Sequence, residues 1–293
     1  MASVKPEVTA FLHERSSTIS YIVADPGSRV AAVIDAAADF DLSTGRLTHA
    51  PSDVIADEIE RRGLKLEWIL ETHVHADHVS GAQHLRERFG GCVAIGGRIS
   101  EVQETFAAIY DEGEGFRRDG SQFDHLFKPD ERFRVGEIEA RAIATPGHTP
   151  ACMSYLIGDA VFVGDSIFMP DFGSARCDFP GGGAETLYES ALRILALPDE
   201  TRMFVGHDYG PGGRPIAWET TVGEQKRSNL HVGNGTSLEQ FVEMRTTRDA
   251  KLGLPGMIIP SIQINMRAGK LPDPGRDGVS RIKIPVNGFP GAD

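Results

Sequence analysis

The sequence predicts an α/β protein, a layered sandwich of two similar strand-then-helix halves. Three observations predict it. Short apolar runs bounded by turn residues alternate with longer amphipathic segments; the alternation occurs twice along the 293 residues; and polar side chains recur just beyond the apolar runs, beside glycine, which lets backbones approach closely. In the first half "VTAFLHE", "STISYIVAD" and "RVAAVIDA" read as strands, the last two separated by Pro26-Gly27. "PSDVIADEIERRG" reads as a helix that Pro51 and Ser52 open and Gly63 closes, with Val54, Ile55, Ile59 and the later Leu64 as its apolar face. "LEWILETH" follows as a buried strand with His73 at its end, and "GAQHLRERFG" as the next helix.

The second half repeats the scheme. "EIEARAIATPGH", "MSYLIGD" and "AVFVGDSIF" read as strands, with Met153 and Phe162 as core, and "ETLYESALRILALP" reads as a helix. "MFVGHD" reads as a strand that ends in His207, and "ETTVGEQKRSNL" and "SLEQFVEMRTTRDAKLG" read as terminal helices. The polar stretch after Leu271 is expected to be loosely folded.

Composition narrows the function. Hydrophobic residues make up 40% and charged residues 25%, ordinary for a globular protein. A net charge of −12 argues against a general nucleic-acid surface, which needs clustered Lys and Arg to release counterions. An anionic substrate must therefore meet a local basic patch. The N-terminus has no basic region followed by an apolar run, and no later apolar run approaches membrane-spanning length, so a cytoplasmic enzyme is expected. Cys92, Cys152 and Cys177 are odd in number and widely spaced, which supports neither a disulfide framework nor a cysteine metal knuckle. Any metal here takes nitrogen and oxygen ligands.

Such ligands are concentrated at strand ends. "ETHVHADHVSGA" carries His73, His75, Asp77 and His78 on a strand-to-helix loop; His148 follows "ATPG", Asp165 follows "VFVG" and His207 follows "FVG". Five imidazoles and two carboxylates suit Zn, Fe or Mn and lack the all-oxygen character of a calcium or magnesium site. His13, His49, His84, His125 and His231 fall in no such pattern and are expected to be structural or exposed.

The "HVHADH" run with TPGH, GD and GHD at strand ends resembles the metallo-β-lactamase fold superfamily, over roughly residues 7 to 245. The resemblance implies an αββα sandwich with the metal site at one edge of the sheets. It implies a catalytic domain over residues 1–245 and a C-terminal extension, 246–293, packed on it. One scaffold hosts several chemistries. In the two-metal hydrolases the resemblance assigns His73, His75 and His148 to one metal, Asp77, His78 and His207 to the other, and Asp165 to both. In the one-iron branch it assigns only His73, His148 and Asp165.

Four further features are similar to the persulfide dioxygenase family: Pro150-Ala151-Cys152 after "TPGHT", Tyr209 after "GHD", "SARCDF" over 174–179 and "INMRAG" over 264–269. The resemblance implies one Fe(II) per chain on His73, His148 and Asp165, glutathione persulfide or a related small persulfide and O2 as substrates, and a homodimer. His75, Asp77, His78 and His207 would then orient the ligands. Asp77 and Tyr209 would stand beside the reacting atoms. Thr149, Cys152, Arg176, Tyr209, Lys226, Arg227, Asn265 and Arg267 would hold the substrate, the cations pairing with its carboxylates. Cys177 replaces a hydroxyl residue usual in the family, and "AIYDEGEGFRRDGSQFDHLFKPDERF" reads as a long charged insertion. The competing reading is a glyoxalase II-type thioesterase that uses Zn or a mixed binuclear site to cleave a glutathione thioester.

Overall fold

A computed structural model describes residues 5–289. Two six-stranded sheets face each other. The first runs, in spatial order, β1 (Glu7–His13), β2 (Thr18–Ala24), β3 (Val30–Ile34), β6 (Lys65–Leu70), β8 (Cys92–Gly96) and β9 (His125–Phe127). The second runs β10 (Glu131–Val135), β11 (Ile138–Ala144), β12 (Met153–Ile157), β13 (Ala160–Phe162), β14 (Arg202–Phe204) and β15 (Glu219–Thr221). A small sheet joins β5 (Arg46–Thr48), β4 (Ala37–Asp41) and β7 (Val79–Ser80) beside the first.

Period-two alternation builds the layers. In β2, Ile19, Tyr21 and Val23 face the second sheet, while Ile22 and Ala24 face outward onto helices. Ala32 and Ile34 of β3 repeat the inward set and Ala31 and Val33 the outward one. The outward face is covered by α1 (Ala50–Arg62), α2 (Ala82–Phe89), α3 (Ile99–Ile109) and α7 (Ile258–Asn265). Helices α4 (Ala184–Leu195), α5 (Val222–Ser228) and α6 (Leu238–Asp249) pack Leu187, Ala191, Val222 and Phe241 into the core of the second sheet. Burial of each of Leu187, Val222 and Phe241 contributes roughly 1.5–3 kcal/mol. The result is the expected αββα sandwich. Among the described residues no helix is long and apolar enough to cross a membrane.

Several expectations are corrected in detail. Val54 is exposed, and α1 instead buries Ser52, Ile55, Ala56 and Ile59, because the helix lies against both β4 and α2. The strand through "AVFVGDSIF" stops at Phe162, where Gly164 adopts φ +47 and turns the chain. The charged stretch after residue 107 is not only a loop: it closes α3 and supplies β9, which pairs in parallel with β8 and extends the first sheet. The expected boundary at 245/246 falls inside α6, and its outer limits, residues 1–4 and 290–293, lie outside the described residues.

Tyr21 ties the sheets together near the strand ends. Its hydroxyl donates to the Val205 carbonyl at 2.5 Å, and its ring stands edge-on to Phe162 and Phe204. Gly147 fixes a second close approach: its φ is +139, and an added Cβ would sit 2.3 Å from the Leu187 Cα in α4. Gly147→Ala is therefore expected to lower the unfolding free energy by about 1–3 kcal/mol, read in a denaturant titration, and to displace the following His148; an unchanged midpoint would show that the backbone here has slack.

Candidate metal centre

Four chain segments reach the same edge of the sandwich directly after strands β6, β11, β13 and β14. Beyond β6 the loop from Glu71 to His78 is buried and held from behind. Asp35, just past β3 at φ +51, accepts the Thr72 N–H at 2.7 Å and the Thr72 hydroxyl proton at 2.8 Å. With its proton committed, the Thr72 oxygen accepts from His73 Nδ1, 2.9 Å away. This leaves the Nε2 lone pair of His73 for a metal. Beyond β11, His148 donates from Nδ1 to the Arg176 carbonyl at 2.7 Å, so its Nε2 is likewise the free acceptor, 3.8 Å from Asp165 Oδ2. Asp165 comes up against this loop because Gly164 lacks a side chain; a Cβ there would meet Thr72 Oγ1 at 2.5 Å.

Among the described residues three groups of three bring their ligand atoms within 4.8 Å of one another: His73, His148 and Asp165; His75, Asp77 and His78; and Asp35, Glu71 and His75. His207 joins none, although its Nε2 lies 3.4 Å from Asp165 Oδ1 and 3.7 Å from Asp77 Oδ2. His75 Nε2 is 3.0 Å from Asp35 Oδ1 and 3.4 Å from Glu71 Oε2. Asp77 Oδ2 accepts from the Thr18 hydroxyl at 2.9 Å and lies 3.0 Å from His78 Nδ1.

The donor set fits a cation. Asp165 Oδ1, His75 Nδ1 and His78 Nε2 are buried with no hydrogen-bond partner. Each orphaned polar atom costs roughly 1–3 kcal/mol unless something satisfies it. Burial, then the neighbouring His75 and His148, holds His73 well below the usual imidazole range. Burial also lowers His148 and His78, so neutral lone pairs are available. For His75 burial opposes the charge, but Asp35 and Glu71 outweigh it and raise the imidazole well above its ordinary value. Burial likewise opposes ionisation of Asp77, yet His78 and His207 hold its carboxyl well below the usual range.

Above the donors opens a cleft of about 300 Å³. Asp77, His148, Asp165 and His207 line its inner end, Phe168, Phe172, Phe179 and Tyr209 its sides, and Arg176, Arg245 and Arg248 also reach it. Of the residues expected at the substrate, Arg176 and Tyr209 are in this lining. The others stand elsewhere. Thr149 lines a narrow apolar cavity beside His148, and its N–H donates to the Sγ of the buried Cys152, whose thiol burial pushes up to about 12. Lys226 pairs with Asp199 at 2.5 Å, and Arg227, exposed on the same helix, does not reach the cleft.

Arg267 is buried, pairs with Glu112 at 2.8 Å and lies over the Phe116 ring, where it fastens the charged insertion. Asn265 clamps the metal loop: Nδ2 donates to the carbonyls of His75 and His78 at 2.9 and 2.8 Å, and Oδ1 accepts the Ser80 N–H at 2.8 Å. These placements share a cause, since motif proximity does not tell a residue that lines the cleft from one that braces the loop.

Sequence reasoning missed Thr18, Asp35, Thr72, Arg245 and Arg248. Asp35 carried a usable signal, a polar residue directly after an apolar strand, the same one that marked His73 and His207. The two arginines carried none, because α6 is polar around most of its circumference.

Residues 14–207 match the metallo-β-lactamase superfamily. The chain belongs to that superfamily. It is 45% identical to a β-lactamase hydrolase-like protein of Agrobacterium fabrum, over 98% of this chain but 66% of that one, so it spans just under two thirds of that relative's length. It is 46% identical to glyoxylase B2 of Dictyostelium discoideum, over 97% of this chain and 98% of that one. It is 31% identical to the mitochondrial persulfide dioxygenase ETHE1 of Homo sapiens, over 87% and 85%. Among solved structures, ETHE1 from Myxococcus xanthus superposes with a TM-score of 0.70 at 30% identity, covering 90% of this chain and all of that one. The chain is thus a metallo-β-lactamase superfamily enzyme, of metallo-hydrolase or ETHE1 type.

Metal binding at the group that holds the orphaned Asp165 Oδ1 would raise stability by mass action, about 2.7 kcal/mol at a hundredfold excess over Kd. Anaerobic Fe(II) is expected to raise the melting temperature of chelator-treated protein, and Asp165→Ala to abolish that rise while still folding by circular dichroism. An equal rise in the variant would place the metal elsewhere.

Proposed function

We propose that this enzyme is a persulfide dioxygenase, with one Fe(II) on His73, His148 and Asp165, that oxidises glutathione persulfide or a related small persulfide. The reaction balances as R–S–SH + O2 + H2O giving R–SH, sulfite and two protons: the S–S bond breaks, the terminal sulfur is oxidised and dioxygen is reduced. One observation carries this reading. Among the described residues the only convergent trio that includes His148 is His73, His148 and Asp165. Two imidazoles and one carboxylate leave coordination positions open, and Fe(II) so held supplies one-electron chemistry with dioxygen. Neither trio that the binuclear hydrolases would need, His73 with His75 and His148 or Asp77 with His78 and His207, is among the convergent groups.

The surrounding residues take definite parts in this scheme. Thr72 and the Arg176 carbonyl fix the tautomers of His73 and His148. Asp77, with Oδ2 engaged by Thr18 and His78, presents a fixed negative charge to the cleft that orients the neighbouring imidazoles. Phe168 and Phe179 exclude water from the sulfur. Tyr209 presents a hydroxyl to the thiol carrier. The likeness to the human and Myxococcus proteins agrees with this reading.

The glyoxalase-type reading is favoured by the relative named glyoxylase B2 and by Asp165, whose two oxygens face His148 and His207 separately, as a carboxylate shared by two metals would. An oxygen electrode separates the two. Anaerobically iron-loaded protein mixed with glutathione persulfide is expected to consume one O2 per sulfite released. No uptake, with hydrolysis of a glutathione thioester in the absence of O2, would sink the dioxygenase.

A further inference from the structure

Three arginines reach the cleft, and two are already committed. Arg176 grips Asp178 with Nε and Nη2, at 2.6 and 2.7 Å, and donates from Nη1 to the Gly253 carbonyl. Arg245 is buried against Asp249 and donates to the Ser174 carbonyl at 3.0 Å. Arg248, one turn along α6 from Arg245, is exposed and lies over the Phe172 ring at 5.7 Å; among the described residues no carboxylate stands within 4.0 Å of it. It is the uncommitted cation of the cleft.

The wall from the donors to this guanidinium is continuous. Tyr209 stacks parallel to His207 at 5.9 Å, Phe172 lies 4.7 Å from Tyr209, and Arg248 covers Phe172. The base of Arg248 is fixed relative to the metal ligands. Asp249, the next residue, accepts the Cys177 N–H at 2.9 Å, and the preceding carbonyl, that of Arg176, holds His148 Nδ1. One short loop thus orients a metal ligand and anchors the helix that carries Arg248.

We infer that Arg248 is the specificity residue for the thiol carrier: its guanidinium pairs with a substrate carboxylate while Phe172 and Tyr209 pack along the stem between that carboxylate and the sulfur. This rests on the persulfide reading and adds the residue that selects the carrier: a thiol whose carboxylate lies beyond a stem long enough to pass Tyr209 and Phe172. In a chain of net charge −12 the long-range field repels such a carrier, so the pairing cation must be local and free. Arg suits the role because its planar fork binds carboxylate through two parallel bonds.

The test uses the iron-loaded full chain and R248Q. For glutathione persulfide the variant is expected to show a KM raised about tenfold, as for one lost charge-assisted bond, with kcat held within about twofold. For the persulfide of uncharged 2-mercaptoethanol, wild type and R248Q should be equal. Calorimetry with S-methylglutathione, which cannot react, should show the same tenfold weakening. Equal binding of S-methylglutathione by both proteins, no measurable binding by wild type, or equal losses with the neutral carrier would overturn the inference. Absence of O2 uptake with every persulfide, alongside an intact calorimetric difference, would instead overturn the dioxygenase reading and leave Arg248 as the anchor for an acidic thiol compound.

Discussion

The cleft depends on how the loop from Glu71 to His78 is braced. A buried loop has no water to satisfy its backbone, so each polar group needs a partner from the fold. Asp35 satisfies Thr72 from the end of β3, Asn265 satisfies the carbonyls of His75 and His78 from the end of α7, and Ser80 closes on the Glu71 carboxylate at 2.5 Å. These braces come from chain segments far apart in sequence. Together they let three imidazoles within six residues take different directions: His73 toward His148 and Asp165, His75 toward Asp35 and Glu71, and His78 toward Asp77 and Thr18.

On the proposed reading the same bracing divides the donors into a metal-holding trio and its support. A site that must bind substrate and dioxygen needs a metal with open positions, which means few protein ligands held stiffly rather than many held loosely. His75 drawn to a carboxylate pair and Asp77 tied to Thr18 are consistent with that economy. The apolar side chains that flank the opening, Phe168, Phe172 and Phe179, lower the local dielectric and strengthen each charge interaction within.

Much of this was legible in the sequence, for a physical reason. Candidate metal donors must be rigid and close together, so they fall at strand ends, and the hydrophobic period exposes those ends to inspection; His73 follows an apolar strand, and His148, Asp165 and His207 each follow one and stand beside a glycine. The roles of Asn265 and Arg267 were not legible, because one side chain turns inward to backbone carbonyls and the other to Glu112, and only packing decides the direction. Arg248 was hidden for the opposite reason: an exposed charge on a polar helix looks like ordinary surface until the cleft beneath it is seen. Strand β9 escaped because three residues, His125 to Phe127, are too few to show a period and lie within a charged stretch.

The account stands on a single metal held by three side chains. The most direct measurement is the anomalous-scattering map of a crystal of anaerobically iron-loaded protein. It is expected to show one iron at bonding distance from His73, His148 and Asp165, with no second peak between Asp77, His78 and His207. Two peaks bridged by Asp165 would contradict the account and identify a binuclear hydrolase.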